Sequence, residues 1–495
     1  MLEDTIAAIA TPLGEGGLAV IRISGAQTFE IADRCFAPAG AAATKLSEAP
    51  THTLHFGHVQ RNGQTLDEAI AAVMRAPRTF TREHVVEITC HGGLLTSKLV
   101  LDAVLASGAR LAEPGEFSRR AFLNGRIDLA QAEAVLDLIQ SRTELALRAA
   151  NEQLAGKLSQ RIYRLRDQMI ETLAHIEAHI DFPEEDIAPD TRGQLLARLR
   201  SGHAFIGELL RTANEGQILR RGMRAAIIGR PNAGKSSLLN QLLGHDRAIV
   251  SAIPGTTRDT IEETANIRGL PVIFIDTAGL DEARDEIEAE GIRRSRQSLQ
   301  QAEFILHVFD ASQALTETDE KYLAEFTGKK RILVLNKIDL PEAGNLPVND
   351  FPAQNTTDFS LPNPTAASSS TGAIPSSLIR AGDRQGKQPA PPMARVSCLT
   401  GEGIESLKDA IKNLVWSGEI KAEMLEVMIN SRHQDALSRA AAATSRTIDA
   451  LVDGLTLELA ALDLRIAVNA IGEIVGQTTT EDLLDRIFSQ FCIGK

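Results

Sequence analysis

The stretch "GRPNAGKSS" at residues 229–237 decides the fold of the central part of the chain. It follows the apolar run "AAIIG" and precedes the helical "SLLNQLL", so it matches G-x-x-x-x-G-K-[ST] in the strand–loop–helix context that this motif requires. Glycines let backbone N–H groups converge on phosphate oxygens, and the N-terminus of the next helix adds its dipole. The stretch predicts a nucleotide site in which Lys235 reaches the β- and γ-phosphates and Ser236 coordinates Mg²⁺.

Two segments that follow fit the γ-phosphate side of such a site. In "PGTTRD" (254–259), Thr257 is the expected switch threonine on Mg²⁺. In "DTAG" (276–279), which ends an apolar strand, Asp276 is expected near Mg²⁺ and Gly279 near the γ-phosphate. A phosphate-binding pattern matched by chance would not be followed by these segments in this order.

Two further segments select the base. "NKID" (336–339) ends another apolar strand, and Asp339 can accept two hydrogen bonds from guanine N1–H and N2–H₂, which adenine cannot supply together. "SCLTGEG" (397–403) lies where a last base-contacting loop belongs. We therefore predict GTP as the nucleotide, with the following contact residues: Asn232, Ala233, Gly234, Lys235, Ser236, Ser237, Ser251, Thr256, Thr257, Asp276, Thr277, Ala278, Gly279, Asn336, Lys337, Asp339, Ser397 and Cys398.

The residue that orients the attacking water is not evident from these motifs. Small signalling GTPases have a glutamine after D-T-A-G for this purpose. Here the position is Leu280, whose side chain cannot orient water. The acidic run "DEARDEIE" (281–288) offers several carboxylates, and its pattern does not choose among them.

These motifs lie in a segment where apolar strands alternate with polar helices. The strands of residues 222–340 are "RAAIIG", "PVIFID", "EFILHVFD" and "RILVLN", and such alternation is typical of a doubly wound α/β domain. Residues 341–393 are rich in Pro, Ser, Thr and Ala without periodicity, so we interpret them as a flexible insertion.

The flanking segments have other patterns. Short β-branched runs with Gly-Pro turns predict an α+β domain near the start. After Asp128, a predicted N-cap with Gln131 at the third helical position, apolar residues at helical spacing as far as Met169 predict a long helix. A second stripe, Ile448 to Ile466, predicts another helix packed in a core. The predicted fold is multidomain, with an α+β N-terminal domain at 1–120, an α-helical domain in two parts at 121–220 and 420–495, and an inserted α/β P-loop GTPase domain at 221–419.

Bulk composition agrees with a multidomain cytoplasmic protein. A chain of 495 residues exceeds one hydrophobic core, and roughly 150 residues per domain suggests about three domains. No apolar run reaches the roughly 18 residues that span a bilayer, and "MLEDTIAAIATPLGEGG" lacks the basic residues that start a signal peptide. The four cysteines have no C-x-x-C spacing, so neither a disulfide framework nor a zinc site is predicted.

The net charge of -13 argues against a protein that coats nucleic acid non-specifically, because phosphate binding needs a basic surface. A local basic patch is still compatible with this charge. Positive residues cluster in "RLRDQMI" (164–170) and in "ILRRGMRAA" (218–226).

Several of these segments together resemble one known family. "PNAGKS", "GGLAVIRISG", "PGEFSRRAFLNGRIDLAQAEAV" and the terminal "FCIGK" are similar to the MnmE family (also called TrmE), the bacterial and organellar tRNA-modification GTPases. The resemblance spans almost the whole chain, with residues 341–393 as the exception. It implies an enzyme that works with the FAD protein MnmG to install an aminomethyl or carboxymethylaminomethyl group on carbon 5 of the tRNA wobble uridine.

The same resemblance implies cofactors and partners. A tetrahydrofolate derivative (5-formyl or 5,10-methylene) supplies the one-carbon unit, and GTP, Mg²⁺ and K⁺ serve the hydrolytic site. The implied partners are a second copy of the chain, MnmG in a heterotetramer, and tRNA, with no membrane. The N-terminal domain is implied to bind folate and to dimerise, and the G domains pair across the nucleotide when K⁺ binds.

Individual residues receive roles from the resemblance. Asn232 matches the asparagine that ligates K⁺, and Ser251, Ile253 and Thr256 fall on the K⁺ loop. A cation there would neutralise charge that develops during phosphoryl transfer. Glu288 matches the glutamate that orients water, and it is our candidate catalytic carboxylate.

The folate ligands implied by the resemblance are Arg22, Glu83 and Arg126, with Lys495 from the end of the chain. Arg126 stands where the family often has lysine, so the charge is kept while its geometry changes. The pattern "CHGG" (90–93) is interpreted as a turn at the end of a strand rather than as a catalytic Cys–His pair.

The terminal "CIGK" allows two interpretations. Cys492 is either a small buried thiol near a helix end or a nucleophile held near the one-carbon unit, and we place it among the candidate catalytic residues. A C-a-a-X lipidation box is a poor match because Gly494 and Lys495 occupy its last two positions.

Two other functions are compatible with the G motifs alone. A ribosome-assembly GTPase usually has an appended basic RNA-binding module or a second G domain, and neither is visible here. A GTP-switched scaffold that recruits MnmG without its own modification chemistry needs the same motifs.

Overall fold

The computed structural model describes residues 4–40, 44–181, 189–244, 262–275, 299–341, 391–416 and 422–495. The chain divides into two compact units. One contains the described parts of Met1–Arg220 and Ile420–Lys495, and the other contains those of Arg221–Val250 and Asp259–Glu419. Within the described ranges, no helix is both long enough and apolar enough to cross a bilayer.

The first unit begins with a seven-stranded sheet. The strand order is β3-β4-β5-β6-β2-β1-β7, and all neighbours are antiparallel except β1 and β7. Its elements are β1 (Ile6–Ile9), β2 (Leu18–Ser24), α1 (Thr28–Cys35), β3 (Phe36–Pro38), β4 (Thr53–Arg61), β5 (Gln64–Met74), β6 (Val85–His91), α2 (Leu94–Ala106) and β7 (Arg110–Leu111).

Strand β2 shows how the sheet separates its two faces. Ile21 and Ile23 are fully buried in the core that includes α1 and α2, whereas Arg22 between them is half-buried. Successive side chains of a strand point to opposite faces. The alternation therefore presents the Arg22 guanidinium on the face opposite that core.

The rest of the first unit is helical. Its main core is formed by apolar residues of α6, α7, α13 and α14. The helices are α3 (Glu116–Leu123), α4 (Leu129–Gln140), α5 (Glu144–Leu154), α6 (Lys157–Asp181), α7 (Pro189–Arg211), α8 (Ala213–Arg221, whose last residue belongs to the second unit), α12 (Ala422–Leu425), α13 (Ser431–Asp453), α14 (Leu457–Val475) and α15 (Glu481–Phe488).

The long helix predicted after Asp128 is three helices, α4, α5 and α6. The predicted start is confirmed, because Asp128 Oδ1 accepts the Gln131 backbone N–H at 2.8 Å and Gln131 Oε1 accepts that of Asp128 at 3.0 Å. The apolar spacing nevertheless continues across two breaks. Thr143 caps α5 through its hydroxyl, and Gly156, with φ of +82°, ends the second helix. Capping chemistry overrides periodicity at these points.

The second predicted stripe is only partly in a core, so its interpretation as core packing is wrong for most members. Leu451 is buried and Ile448 packs, partly buried, against the core, but helix α13 ends before Gly454 and the next helix buries other residues, such as Ala460, Leu464 and Ala467. The remaining members are between 42% and 57% exposed: Val452, Leu455, Leu459, Leu462 and Ile466.

The second unit is a six-stranded sheet of order β13-β12-β11-β8-β10-β9, in which only β9 and β10 are antiparallel. All four predicted strands are present, and β11 is buried along its whole length, as expected for a sheet covered on both faces. The elements are β8 (Met223–Ile228), α9 (Lys235–Leu243), β9 (Glu262–Ile267), β10 (Leu270–Ile275), β11 (Phe304–Asp310), α10 (Glu317–Glu325), β12 (Lys330–Asn336), β13 (Met393–Arg395) and α11 (Ile404–Val415). Apart from residues 341 and 391–393, the predicted insertion lies outside the described residues.

A buried carboxylate joins the two sequence-distant parts of the helical region. Glu133 on α4 accepts two hydrogen bonds from Arg432 at 2.8 and 2.9 Å and one from Asn430 at 2.9 Å. Burial raises the pKa of Glu133, but Arg432 outweighs this effect and holds the pKa well below its ordinary range. His433 lies 2.9 Å from the same carboxylate, and burial lowers its pKa to about 4, so the ring is neutral at pH 7.

We expect Glu133→Ala to destabilise the first unit by about 3–5 kcal/mol, because Arg432 would remain buried without its partner. Differential scanning calorimetry of the full chain measures the change. Glu177→Ala is the matched control, since its partner Arg465 is 61% exposed and such a pair contributes about 1 kcal/mol or less. Equal effects of the two substitutions would contradict the assignment.

Candidate functional site

The phosphate loop lies between β8 and α9, where its glycines meet other backbone. Gly229 has φ of +149°, and a Cβ atom there would collide with the carbonyl oxygen of Val308 on the neighbouring strand. Gly234, with φ of +97°, precedes α9 and leaves no space for a side chain beside the Asn336 amide. Only glycine fits both positions, so the loop backbone is free to face an anion.

Lys235 begins α9 and points back over the loop. Its ammonium donates to the carbonyl oxygens of Gly229 at 2.7 Å and Arg230 at 2.9 Å. Ser236 and Ser237, next along the same turn, are exposed. The first turn of α9 therefore brings one ammonium and two hydroxyl groups to the loop.

Asn336, at the end of β12, connects three segments of the site. Its amide Nδ2 donates to the Ala233 carbonyl at 2.9 Å, and its Oδ1 accepts the Cys398 backbone N–H at 3.1 Å. The side chain is 2% exposed. A buried amide with both ends satisfied fixes the phosphate loop and residue 398 relative to the end of β12.

Asp339 is oriented by the loop that follows β13. Its Oδ1 accepts the hydroxyl of Ser397 at 2.6 Å, and the Ser397 oxygen accepts the Thr400 backbone N–H at 3.1 Å. The hydroxyl thus holds one carboxylate oxygen in place. Burial, with a smaller contribution from Asp339, raises the pKa of the neighbouring Cys398 thiol to about 11.

These segments enclose a cavity of about 590 Å³. Nine of the predicted GTP contacts line it. Ala233 and Ser397 are not in the lining but form hydrogen bonds with two lining residues, Asn336 and Asp339. The nine are Asn232, Gly234, Lys235, Ser236, Ser237, Asn336, Lys337, Asp339 and Cys398. The other predicted residues of this site lie outside the described residues: Ser251, Ile253, Thr256, Thr257, Asp276, Thr277, Ala278, Gly279 and Glu288.

Three residues of this site were not predicted from the sequence. Leu340 and Leu399 line the cavity, and Leu399 is 83% exposed, so they offer apolar surface to a planar base. Asp310, at the end of β11, accepts the Lys337 ammonium at 2.6 Å. Burial raises the pKa of Asp310, but hydrogen bonds from Lys337 and Ser312 outweigh it and the net shift is downward. An acidic residue ending a buried parallel strand was the available signal.

A second group of predicted residues meets at the carboxyl terminus. Arg22 donates from Nη1 to the Gly494 carbonyl at 3.0 Å and from Nε to Glu87 at 2.7 Å. The Gly115 backbone N–H donates to the Cys492 carbonyl at 3.4 Å. Burial, and then Arg22, lower the pKa of Lys495. The tail therefore lies on the N-terminal sheet beside Arg22.

Glu83 precedes β6 in the sequence and lies beside Ser24, the last residue of the strand that contains Arg22. Its carboxylate accepts the Ser24 hydroxyl at 2.7 Å and the Arg120 guanidinium at 3.2 Å. Arg120 is 1% exposed and also binds Asp4 and Glu116. No sequence pattern predicted this role.

Arg126 is exposed and follows α3. The neighbouring Asn124 amide donates to the Thr81 carbonyl at 2.7 Å, which ties this segment to the loop of Glu83.

Cys492 is exposed, so its interpretation as a buried packing thiol is wrong. The exposed thiol follows Phe491, which is 4% exposed and packed beside α15. This apolar anchor leaves the thiol accessible at a fixed point of the N-terminal domain.

The strand–loop–helix at 223–243, with Asn336 and Asp339 at the end of a parallel strand, defines a P-loop GTPase domain. It interrupts a chain whose remaining segments match one family. Residues 5–126 match the GTP-binding protein TrmE N-terminus, and residues 129–492 match the MnmE helical domain. The chain belongs to the MnmE family.

Individual relatives agree with this assignment. The tRNA modification GTPase MnmE of Geobacillus kaustophilus is 45% identical over 496 residues, covering 99% of each chain. That of Listeria innocua is 43% identical over 493 residues, again with 99% of each chain covered. A crystal structure of Aquifex aeolicus Era bound to GDP and AlF₄⁻ is 26% identical and covers 44% of this chain and 66% of that one. The TM-score between the two is 0.26.

We expect Asp339→Asn to shift the preference from guanine to xanthine nucleotides, because the amide can donate to the xanthine oxygen where the carboxylate only accepts. Loss of one hydrogen bond to a charged group costs about 1.5–3 kcal/mol, roughly a 10- to 100-fold loss of GTP affinity. Titration with fluorescent GTP and XTP analogues measures both affinities. Asp409→Asn, whose exposed carboxylate pairs with Arg268, is the control. An unchanged preference would remove Asp339 from the base site.

Proposed function

We propose that this chain hydrolyses GTP and, together with an FAD-containing protein of the MnmG type, modifies carbon 5 of the tRNA wobble uridine with an aminomethyl or carboxymethylaminomethyl group. One observation carries the proposal: the tail with the exposed Cys492 is fixed on the N-terminal sheet beside Arg22. The relatives aligned over 99% of the chain, which are called tRNA modification GTPases, support the same reading. The proposed compartment is the cytoplasm.

In the proposed hydrolytic site, the loop backbone and Lys235 hold the β- and γ-phosphates. Ser236 and Thr257 would hold Mg²⁺, with Asp276 nearby, and the exposed Ser236 hydroxyl at the cavity wall fits a cation that prefers oxygen ligands. When bound, Mg²⁺ neutralises charge on the phosphates. Asp339 receives the guanine N–H groups.

The proposed K⁺ ligands are Asn232, Ser251, Ile253 and Thr256. Asn232 fits this role because it is exposed at the cavity wall, with φ of +62°. When bound, K⁺ supplies positive charge where small GTPases use an arginine finger. We propose that Glu288 orients the attacking water, since Leu280 cannot.

The proposed folate ligands are Arg22, Glu83, Arg126 and Lys495. Three cationic side chains suit the carboxylates of a folate, and the Glu83 carboxylate, already held by Ser24, suits its N–H donors. When bound, the folate supplies the one-carbon unit. Cys492 is the proposed thiolate nucleophile next to it, because a thiolate attacks such carbon centres more readily than a hydroxyl group.

A second copy of the chain is the proposed structural partner. Strands β4 and β5 present an apolar face, with Leu54 at 73%, Phe56 at 54% and Ile70 at 43% exposure. Phe56 and Ile70 are directly opposed in the register, so their side chains share that face. An exposed apolar face on a regular sheet favours a protein interface. It supports a homodimer through the N-terminal domain.

We expect GTP turnover to be at least tenfold faster in KCl than in NaCl, because the smaller ion does not fit the same ligands. Asn232→Ala should abolish this difference. Asn240→Ala changes an exposed amide on α9 and is the control. Phosphate release measured in both salts tests the prediction, and equal rates for the unsubstituted chain would contradict the K⁺ role.

We expect Cys492→Ser to retain K⁺-stimulated GTP hydrolysis, which takes place in the other unit, and to lose wobble-uridine modification. Mass spectrometry of tRNA nucleosides from cells that have the variant as their only copy measures the modification. Gln490→Ala, two residues upstream in the tail, should support normal modification. Full modification by the serine variant would show that the thiol has no chemical role.

A further inference from the structure

A groove with several positive charges lies between α6 and α7 in the first unit. It has a volume of about 480 Å³ and its floor is apolar at Leu165. We call it the α6–α7 groove, and its polar lining includes Lys157, Arg161, Arg164, Gln168, Ser201 and Glu426. None of these residues has a part in the nucleotide cavity or at the tail.

Its cations follow one face of one helix. Lys157, Arg161, Arg164 and Gln168 are spaced by four, three and four residues, so they form a row on α6. At about 1.5 Å per residue the row is roughly 16 Å long, which is longer than one phosphate group can bridge. A row of that length matches a polyanion better than a single anion.

The groove has more cations than carboxylates. Glu426 lies 2.9 Å from Arg161 and 3.9 Å from Lys157, and it is the one carboxylate in the lining. Arg164 is exposed and has no hydrogen-bond or ion-pair partner in the described part of the chain. The amide of Gln168 and the hydroxyl of Ser201 add neutral donors.

Several exposed arginines on other helices of the same unit are neutralised locally. Each forms an ion pair with a carboxylate: Arg439 with Asp435 and Glu473, Arg446 with Asp463, and Arg465 with Glu177. In the other basic cluster noted in the sequence, Arg220 pairs with Asp137. In a chain of net charge -13, a row of three cations with a single carboxylate beside it is a local positive surface that suits an anionic ligand.

We propose that the α6–α7 groove binds the phosphodiester backbone of an RNA strand. The proposal rests on the proposed function for the identity of that RNA, which is then the tRNA to be modified. Lys157, Arg161 and Arg164 contact successive phosphates, while Gln168 and Ser201 donate hydrogen bonds to phosphate or ribose oxygens. Glu426 opposes binding by competing for two of the cations. Such contacts give affinity and orientation and carry no base specificity.

Fluorescence anisotropy of a labelled tRNA transcript with the full chain tests the proposal at several salt concentrations. One counterion is released per phosphate contact, so Lys157→Gln and Arg164→Gln should each weaken binding about fivefold at physiological salt. The double variant should reduce the slope of log affinity against log salt by about 2. Glu426→Gln should tighten binding because it frees Lys157 and Arg161.

The controls separate the groove from the protein as a whole. Arg148→Gln removes an exposed arginine from the neighbouring α5 outside the groove, and it should leave affinity and slope unchanged. GTP hydrolysis should be normal in all five variants, which shows that they fold. The groove proposal is overturned if the double variant binds tRNA like the unsubstituted chain, or if Arg148→Gln weakens binding equally.

Two other results are distinguishable. If the double variant binds tRNA normally but self-associates less in light scattering, the groove receives an acidic protein surface and the RNA proposal is wrong. If the unsubstituted chain binds no tRNA at all, the proposed function in tRNA modification fails together with the groove.

Discussion

The buried carboxylate of Glu133 is the constraint on which the first unit depends. Helix α4 comes before the inserted α/β unit in the sequence and α13 comes after it, so Glu133 and Arg432 pair across 299 residues of chain. Apolar contacts between helices tolerate sliding, whereas Glu133 accepts from Arg432 and Asn430 with specific geometry. Helices α14 and α15 and the tail come after α13 in the chain, and Arg22 donates a hydrogen bond to the Gly494 carbonyl of that tail.

In the nucleotide cavity, too, a few buried side chains hold several segments in place. Its polar residues stand at the carboxyl ends of parallel strands, where an open α/β sheet places ligands. Asn336 holds the phosphate loop and residue 398 with two hydrogen bonds, and Ser397 holds Asp339. The hydrogen bonds of Asn336 and Ser397 thus hold together the segments of the proposed nucleotide site. Loss of Asn336 would loosen both the phosphate and the base regions.

The sequence predicted what short-range chemistry determines. The P-loop, the four strands around it and the Asp128 cap follow from local patterns, and the structure has them. The prediction of one long helix after Asp128 was wrong, because apolar spacing alone does not show that helices end near Thr143 and Gly156. Asp310 and Arg120 were missed for another reason. Their partners, Lys337 and Glu83, are distant in sequence, and only the fold brings them together.

The positions of the charged side chains in the structure add information that the net charge does not contain. A net charge of -13 repels RNA at long range, so an acidic protein that acts on tRNA needs its positive charge concentrated in a few places. Ion pairs neutralise the exposed Arg439, Arg446 and Arg465 on α13 and α14, whereas the row of three cations along the α6–α7 groove has one carboxylate, Glu426, beside it. Restricting attraction to one groove favours one orientation of the bound strand over non-specific coating. The composition shows only that acidic residues are in excess, whereas the ion pairs of individual side chains show which positively charged side chains lie beside a carboxylate and which do not.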